Sequence, residues 1–251
     1  MKFTNITQAK KATGFSYLGS INSSAKIIKN QKVSNQFTYI LYLAPASTSG
    51  YNVCPYSTTE CRAGCLATSG RAGIGQDNNI QKARLAKTKL FYSEQQFFME
   101  WMIKEIENYE TKAKNKGYGF SIRLNGTSDI DWANIKYKGK NIFDIFPNVQ
   151  FYDYTKNHNK FTNKPTNYHL TYSYTGYNWD KCESLLNQGQ NVAMIFNKEL
   201  PAAYAAYNVI DGDLTDYRPN DGNGVIVGLK WKRIQNKTVN QLVKTSKFVI
   251  Q

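Results

Sequence analysis

Three cysteines, Cys54, Cys61 and Cys65, fall within twelve residues in a C-x6-C-x3-C segment. Thiolates this close in sequence can converge on one zinc ion or on an iron–sulfur cluster. A tetrahedral structural zinc needs a fourth ligand from elsewhere, and Cys182, His158 and His169 are the remaining Cys and His residues. A cluster held by three cysteines leaves one iron open for substrate or cofactor. The plain alternative is three thiols packing a loop. Cys182 has apolar neighbours at helical spacing and reads as core, and His158 reads as a loop residue.

The second set of reactive residue types lies at the ends of strand-like runs. RLNGTSDIDW (123–132) carries Arg123, Asn125, Asp129 and Asp131, and DYTK (153–156) carries Asp153, Tyr154 and Lys156. IDGDLTDYR (210–218) carries Asp213 and Arg218, but lacks the sixth-position glycine and the terminal glutamate of an EF-hand calcium loop. In parallel α/β folds chemistry collects where strands end at their C-terminal edge. There Asp129, Asp131, Asp153, Lys156 and Asp213 are candidates for proton transfer and substrate orientation. Arg123, Asn125, Tyr154 and Arg218 are candidates for holding an anionic substrate. The competing explanation is ordinary turn chemistry, because Asp, Asn, Gly, Ser and Thr dominate turns.

The elements that must position these residues are short apolar, β-branched or aromatic runs. They are Phe37–Pro45, then 119–124, 149–153, 168–173, 191–196 and 224–229. Helical spacing begins near Asp77, and Ser93 with Gln96 resembles a capping box opening a second helix. A further helix is predicted over 179–187. Strands alternating with helices predict a mainly parallel α/β sheet, a partial or closed (β/α) barrel of about six strands. A long Cys-containing loop, ending in GRAGIGQ, follows the first of them. Residues 1–36 lack a sustained period and read as a basic polar arm or irregular cap, leaving 37–251 as a single domain. No GxGxxG or Walker-type motif follows any strand, which excludes those dinucleotide and phosphate sites.

With 41% hydrophobic and 20% charged residues among 251, the chain can bury a core. No apolar run is long enough to span a membrane, and the N-terminus lacks a signal-like apolar stretch. A soluble cytoplasmic protein is expected, with no membrane partner. Lys and Arg number 32 against 18 Asp and Glu, a formal charge of +14 spread along the chain with aromatics between. Such an excess favours nucleic acid or nucleotides as partners, or else is a solubilising surface.

The motifs taken together resemble a known family. CPYS with Cys61 and CLATSGR (54–71), RLNGTSDIDW (123–132), FPNVQFYDYTK (146–156), NYHLTYS (167–173), VIDGDLTDYR (209–218) and GVIVGLK (224–230) are similar to the phage gene product 88 family. The resemblance runs from about Phe37 to the C-terminus and implies a phage or mobile-element protein of the host cytoplasm, without naming a reaction. A looser likeness, in strand order and the early Cys loop, is to radical-SAM partial barrels, which implies S-adenosylmethionine as a cofactor. The Cys spacing departs from their C-x3-C-x2-C. The expectation is a metal- or iron–sulfur-dependent enzyme acting on a nucleotide or nucleic acid at the strand ends. The alternative is a non-catalytic basic protein that binds nucleic acid or a host protein, with the Cys segment a zinc staple or a plain loop.

Overall fold

The computed structural model describes residues 1–21, 24–65, 78–234 and 236–251. The N-terminal segment before β2, expected to lack regular structure, holds α1 (Ile6–Thr13), β1 (Gly19–Ser20) and α2 (Ala25–Val33). Asn5 accepts the Gln8 amide to cap α1, and Ser24 accepts that of Ile27 to cap α2. Such side-chain acceptors satisfy amides that a helix start leaves unpaired.

β2 (Gln36–Leu41) is followed by α3 (Thr59–Ala63), α4 (Asn79–Ser93), α5 (Gln95–Asn115) and β3 (Gly119–Arg123). Next come α6 (Ile142–Ile145), β4 (Gln150–Thr155), β5 (Tyr168–Ser173), α7 (Trp179–Asn187) and β6 (Asn191–Phe196). The chain ends with β7 (Ala203–Tyr204), β8 (Tyr207–Asp211), β9 (Ile226–Lys230), α8 (Lys237–Lys244) and β10 (Val249–Ile250). The expected capping box at Ser93 does not form. Ser93 is the last residue of α4, and Glu94 turns the chain into α5 with no side-chain cap.

The ten strands form one sheet in the order β1-β2-β3-β4-β5-β6-β9-β8-β7, with β10 paired to β6. β2 through β9 and β8 are parallel neighbours, while β1 and β7 add antiparallel at the two edges. The parallel α/β expectation therefore holds, but the sheet stays open and the barrel does not close. It also has a parallel strand, β8, that the sequence reading missed. β10 pairs with Ile195 and Phe196 at the end of β6, beyond the Asn191–Ala193 stretch that pairs with β5.

The two faces differ. Phe37, Tyr39, Leu41, Ile122, Phe151 and Leu170 point to the main core with Phe98, Trp101 and Met102 of α5, all nearly or fully buried. Val192, Met194 and Phe196 continue that face against Cys182, Leu185 and Leu186 of α7. The opposite face carries Thr38, Ser121, Tyr152 and Arg123. It is covered by α2 and by residues 212–225, the return from β8 to its parallel neighbour β9. A parallel pair requires such a return, usually as a helix. Here it lies against the polar face as an irregular segment with one 3-10 turn, Arg218–Asn220.

Candidate functional site

The C-terminal edge of the sheet holds the Cys segment. Thr58 caps α3 by accepting the Cys61 amide at 3.2 Å, so Cys61 is fixed in the first turn of that short helix. Cys54 lies before it, its Sγ accepting the Ala46 amide at 3.4 Å and lying 3.8 Å from the Thr127 carbonyl oxygen. The Asp129 amide donates to the Val53 carbonyl at 2.7 Å, stitching the segment after β3 to the Cys segment. Lys156, one residue past β4, lies in the electrostatic field of Cys61. Burial works against its charge, but Cys61, Asp129 and Cys54 outweigh that and hold its proton more firmly than usual.

Cys54 lies in the electrostatic field of the other two thiols. Burial pushes Cys54 up to about 11, and Cys65, Asp129 and Cys61 add to the rise. Burial lowers the pKa of the Arg84 guanidinium, which lies 5.0 Å over the Tyr42 ring, and Tyr42 and Cys65 oppose that shift. A single tetrahedral zinc, with Zn–S near 2.3 Å, needs thiolates about 4 Å apart. Among the described residues no three His, Cys, Asp or Glu side chains converge closely enough to hold one metal ion. The GRAGIGQ part of the expected loop lies outside the described residues.

Asp129 is buried and fully engaged. It accepts from Thr155 Oγ1 at 2.7 Å, from the Lys156 amide at 2.8 Å and from Lys160 Nζ at 2.6 Å. It thereby fixes the backbone that carries Lys156. Asn125 organises the same turn, accepting from Ser128 Oγ, the Ile130 amide and Trp132 Nε1 while donating to the Ile130 carbonyl. Asp153 is buried behind it, accepting the Asn125 amide at 2.9 Å and Tyr168 OH at 3.0 Å. Burial raises its carboxyl to about 7 despite the opposing pull of Arg123, those two donors and Lys160.

A second group fills the polar face. Arg123 pairs with Asp216 at 2.7 Å, lies 3.8 Å from Asp153 and sits 5.0 Å over the Tyr154 ring. Tyr154 is pushed up to about 12, mainly by burial. Arg218, fully buried, faces Asp221 at 3.2 Å and donates to the Thr215 carbonyl. Asn30 of α2 joins these layers. Its amide donates to Thr38 and Tyr152, and its oxygen accepts from Thr215 Oγ1 and the Asp216 amide.

The structure thus brings Asp129 to Cys54 and Lys156 to Cys54 and Cys61. Arg123, Asp153, Tyr154 and Arg218 form an adjoining buried network, and Asn125 shapes the turn between. Asp131 accepts from Asn134 at 2.7 Å and lines a separate cleft of about 240 Å³ with Lys160 and Tyr168. Asp213 pairs with Lys232 and accepts the Lys230 amide at the β8–β9 edge. Sequence reasoning missed Lys160 and Asn30, and the pairing of Asp216 with Arg123. Only Lys160 left a signal: it stands four residues after Lys156, where a helical turn could bring both cations to one carboxylate.

No curated protein and no solved structure matches the chain. A family model described as gene product 88 matches residues 4–246, which also takes in the N-terminal segment that the motif resemblance left out. The match covers nearly the whole length, so the chain belongs to the gene product 88 family, the phage family that its motifs resemble.

Proposed function

We propose that this protein is an enzyme that acts on a nucleotide or nucleic acid through an iron–sulfur cluster held by Cys54, Cys61 and Cys65. One observation carries the reading: Cys54 and Cys61, Asp129 and Lys156 come from three distant segments and lie within electrostatic reach at the C-terminal edge of a parallel sheet. A cluster gives each cysteine its own iron, which suits thiols that sense one another without converging on a single point. When bound, such a cluster supplies one-electron chemistry or an open iron for substrate.

The chain's own residues have separable tasks in this reading. Lys156 places an ammonium near Cys61, offsetting the negative charge that three thiolates bring together. Asp129 positions Lys156 through its backbone amide. Arg123 and Arg218 are neutralised by Asp216 and Asp221, so they hold the covering segment. Asp153, with its carboxyl near 7, is the group best matched to exchanging a proton at neutral pH.

The test is metal content across a cysteine series purified without oxygen. Replacing Cys54, Cys61 or Cys65 by Ser lowers bound iron and sulfide, while Cys182→Ser, in the α7 core, leaves them unchanged. Equal metal in all four variants overturns the reading. A second reading, a non-catalytic nucleic-acid- or host-protein-binding module, is favoured by the +14 charge. Zinc without sulfide in every sample would support that one instead.

A further inference from the structure

Among the described residues five aromatic side chains are exposed, and all five are tyrosines: Tyr17, Tyr51, Tyr56, Tyr92 and Tyr177. Tyr56 is 47% exposed in the turn closed by the Ser57 amide on the Cys54 carbonyl, directly between Cys54 and α3. Tyr51, in the same loop, stacks flat on Tyr92 with ring centres 4.2 Å apart and planes 4° from parallel. Tyr177 is 67% exposed in the turn after β5, with Lys247 Nζ 5.6 Å from its ring centre. That turn is pressed against the C-terminal segment, since a Cβ on Gly176 would lie 2.9 Å from the Lys247 carbonyl carbon.

The C-terminal segment also covers the Cys helix. Val243, Phe248 and Trp231 share an apolar cluster with Cys61 and Ala63. From 226 to 251 it contains six Lys and Arg and no Asp or Glu. Lys230 and Lys232 pair with Glu199 and Asp213, while Arg233, Lys237 and Lys247 are exposed. The tyrosines on the Cys loop and Tyr177 therefore flank the same edge as a segment of one charge sign.

We infer that this rim binds a single-stranded polynucleotide, with Tyr56 and Tyr177 as stacking platforms and Lys247 and its neighbours on the phosphates. The inference rests on the nucleic-acid side of the proposed function and narrows it to unpaired strands. Exposed flat rings offer faces to unpaired bases, which a duplex keeps stacked within itself. Cations on the flanking segment follow the backbone without reading sequence. Nothing in the rim selects deoxyribose over ribose.

The experiment is fluorescence anisotropy of the full chain with labelled oligo-dT, oligo-rU and a blunt DNA duplex, with metal content recorded on the same samples. The expected result is tighter binding of both single strands than of the duplex. Tyr177→Ala and Tyr56→Ala each weaken single-strand binding by about 5- to 100-fold, as loss of one stacked base does. Lys247→Gln lowers the slope of log affinity against log salt by about 0.7. Because these side chains are exposed, thermal melting of the variants should match wild type. Equal affinity for duplex and single strands, or tyrosine variants that bind like wild type, overturns the inference. Absent strand binding in metal-loaded protein overturns the rim alone. Strand binding in metal-free protein supports the rim and counts only against the cluster.

Discussion

On the helix-covered face of the sheet, Phe37, Tyr39, Leu41, Ile122 and Phe151 meet the aromatic side of α5 in one apolar layer. On the other face, the neighbouring residues Thr38, Ser121, Arg123 and Tyr152 meet Asn30, Asp216 and Arg218. Both layers are buried to a similar degree, but their cohesion differs in kind. The apolar face gains from non-directional burial, about 25 cal/mol per Å² removed from water. The polar face gains little net free energy from its pairs, and it becomes costly when one partner is lost. The first layer therefore sets stability, and the second sets where the covering segment and the ends of β3 and β4 must lie. The strand-end site sits between them.

The largest effect expected from breaking this contrast is on the apolar face. Trp101→Ala, at a fully buried position, should cost about 3–5 kcal/mol by denaturant unfolding, a large fraction of the stability of a typical domain. Arg123→Met comes next. It leaves Asp216 buried and unpaired, at about 3–5 kcal/mol, but Arg123→Met with Asp216→Leu should recover most of that loss. Recovery would mark the pair as a positioning device, whereas a double variant as unstable as the single one would make it a stabilising element. Asn30→Ala leaves the buried Asp216 amide without a partner and should cost about 1–3 kcal/mol.

A pH dependence is expected as well. The Asp153 carboxyl, raised to about 7 by burial, still binds a proton at pH values where the unfolded chain, near 3.9, has released it. Its contribution to stability is present at low pH and falls as pH rises from about 4 to 7. Asp153→Asn removes that slope. His169, lowered to about 4 chiefly by burial, works in the opposite sense, so the readout is the wild-type curve minus the variant curve. A flat difference between pH 4 and 8 would place Asp153 in a more solvated setting than its contacts imply.

The parts of this molecule legible in its sequence are those set by local pattern. β5, β6 and α7 fall on 168–173, 191–196 and 179–187 because continuous apolar runs and one amphipathic turn are bounded by polar turns. β8 was hidden because Tyr207–Asp211 is half-exposed and runs into an aspartate-rich turn, which reads as loop. α1 and α2 were hidden because each carries too few apolar residues to show a period. The approach of Lys156 and Asp129 to the cysteines followed from the strand-end rule for parallel sheets. The partners of Arg123 and Arg218 did not. Asp216 lies 93 residues from Arg123, and only the path of the β8–β9 return decides that they meet.

The account turns on what the three cysteines hold. Its most direct test is the visible spectrum of wild-type protein purified without oxygen, with iron and acid-labile sulfide measured on the same sample. The account predicts a broad visible absorption that bleaches on reduction, with iron and sulfide present together. A colourless protein with zinc alone, or with no metal after reconstitution with iron and sulfide, would contradict it.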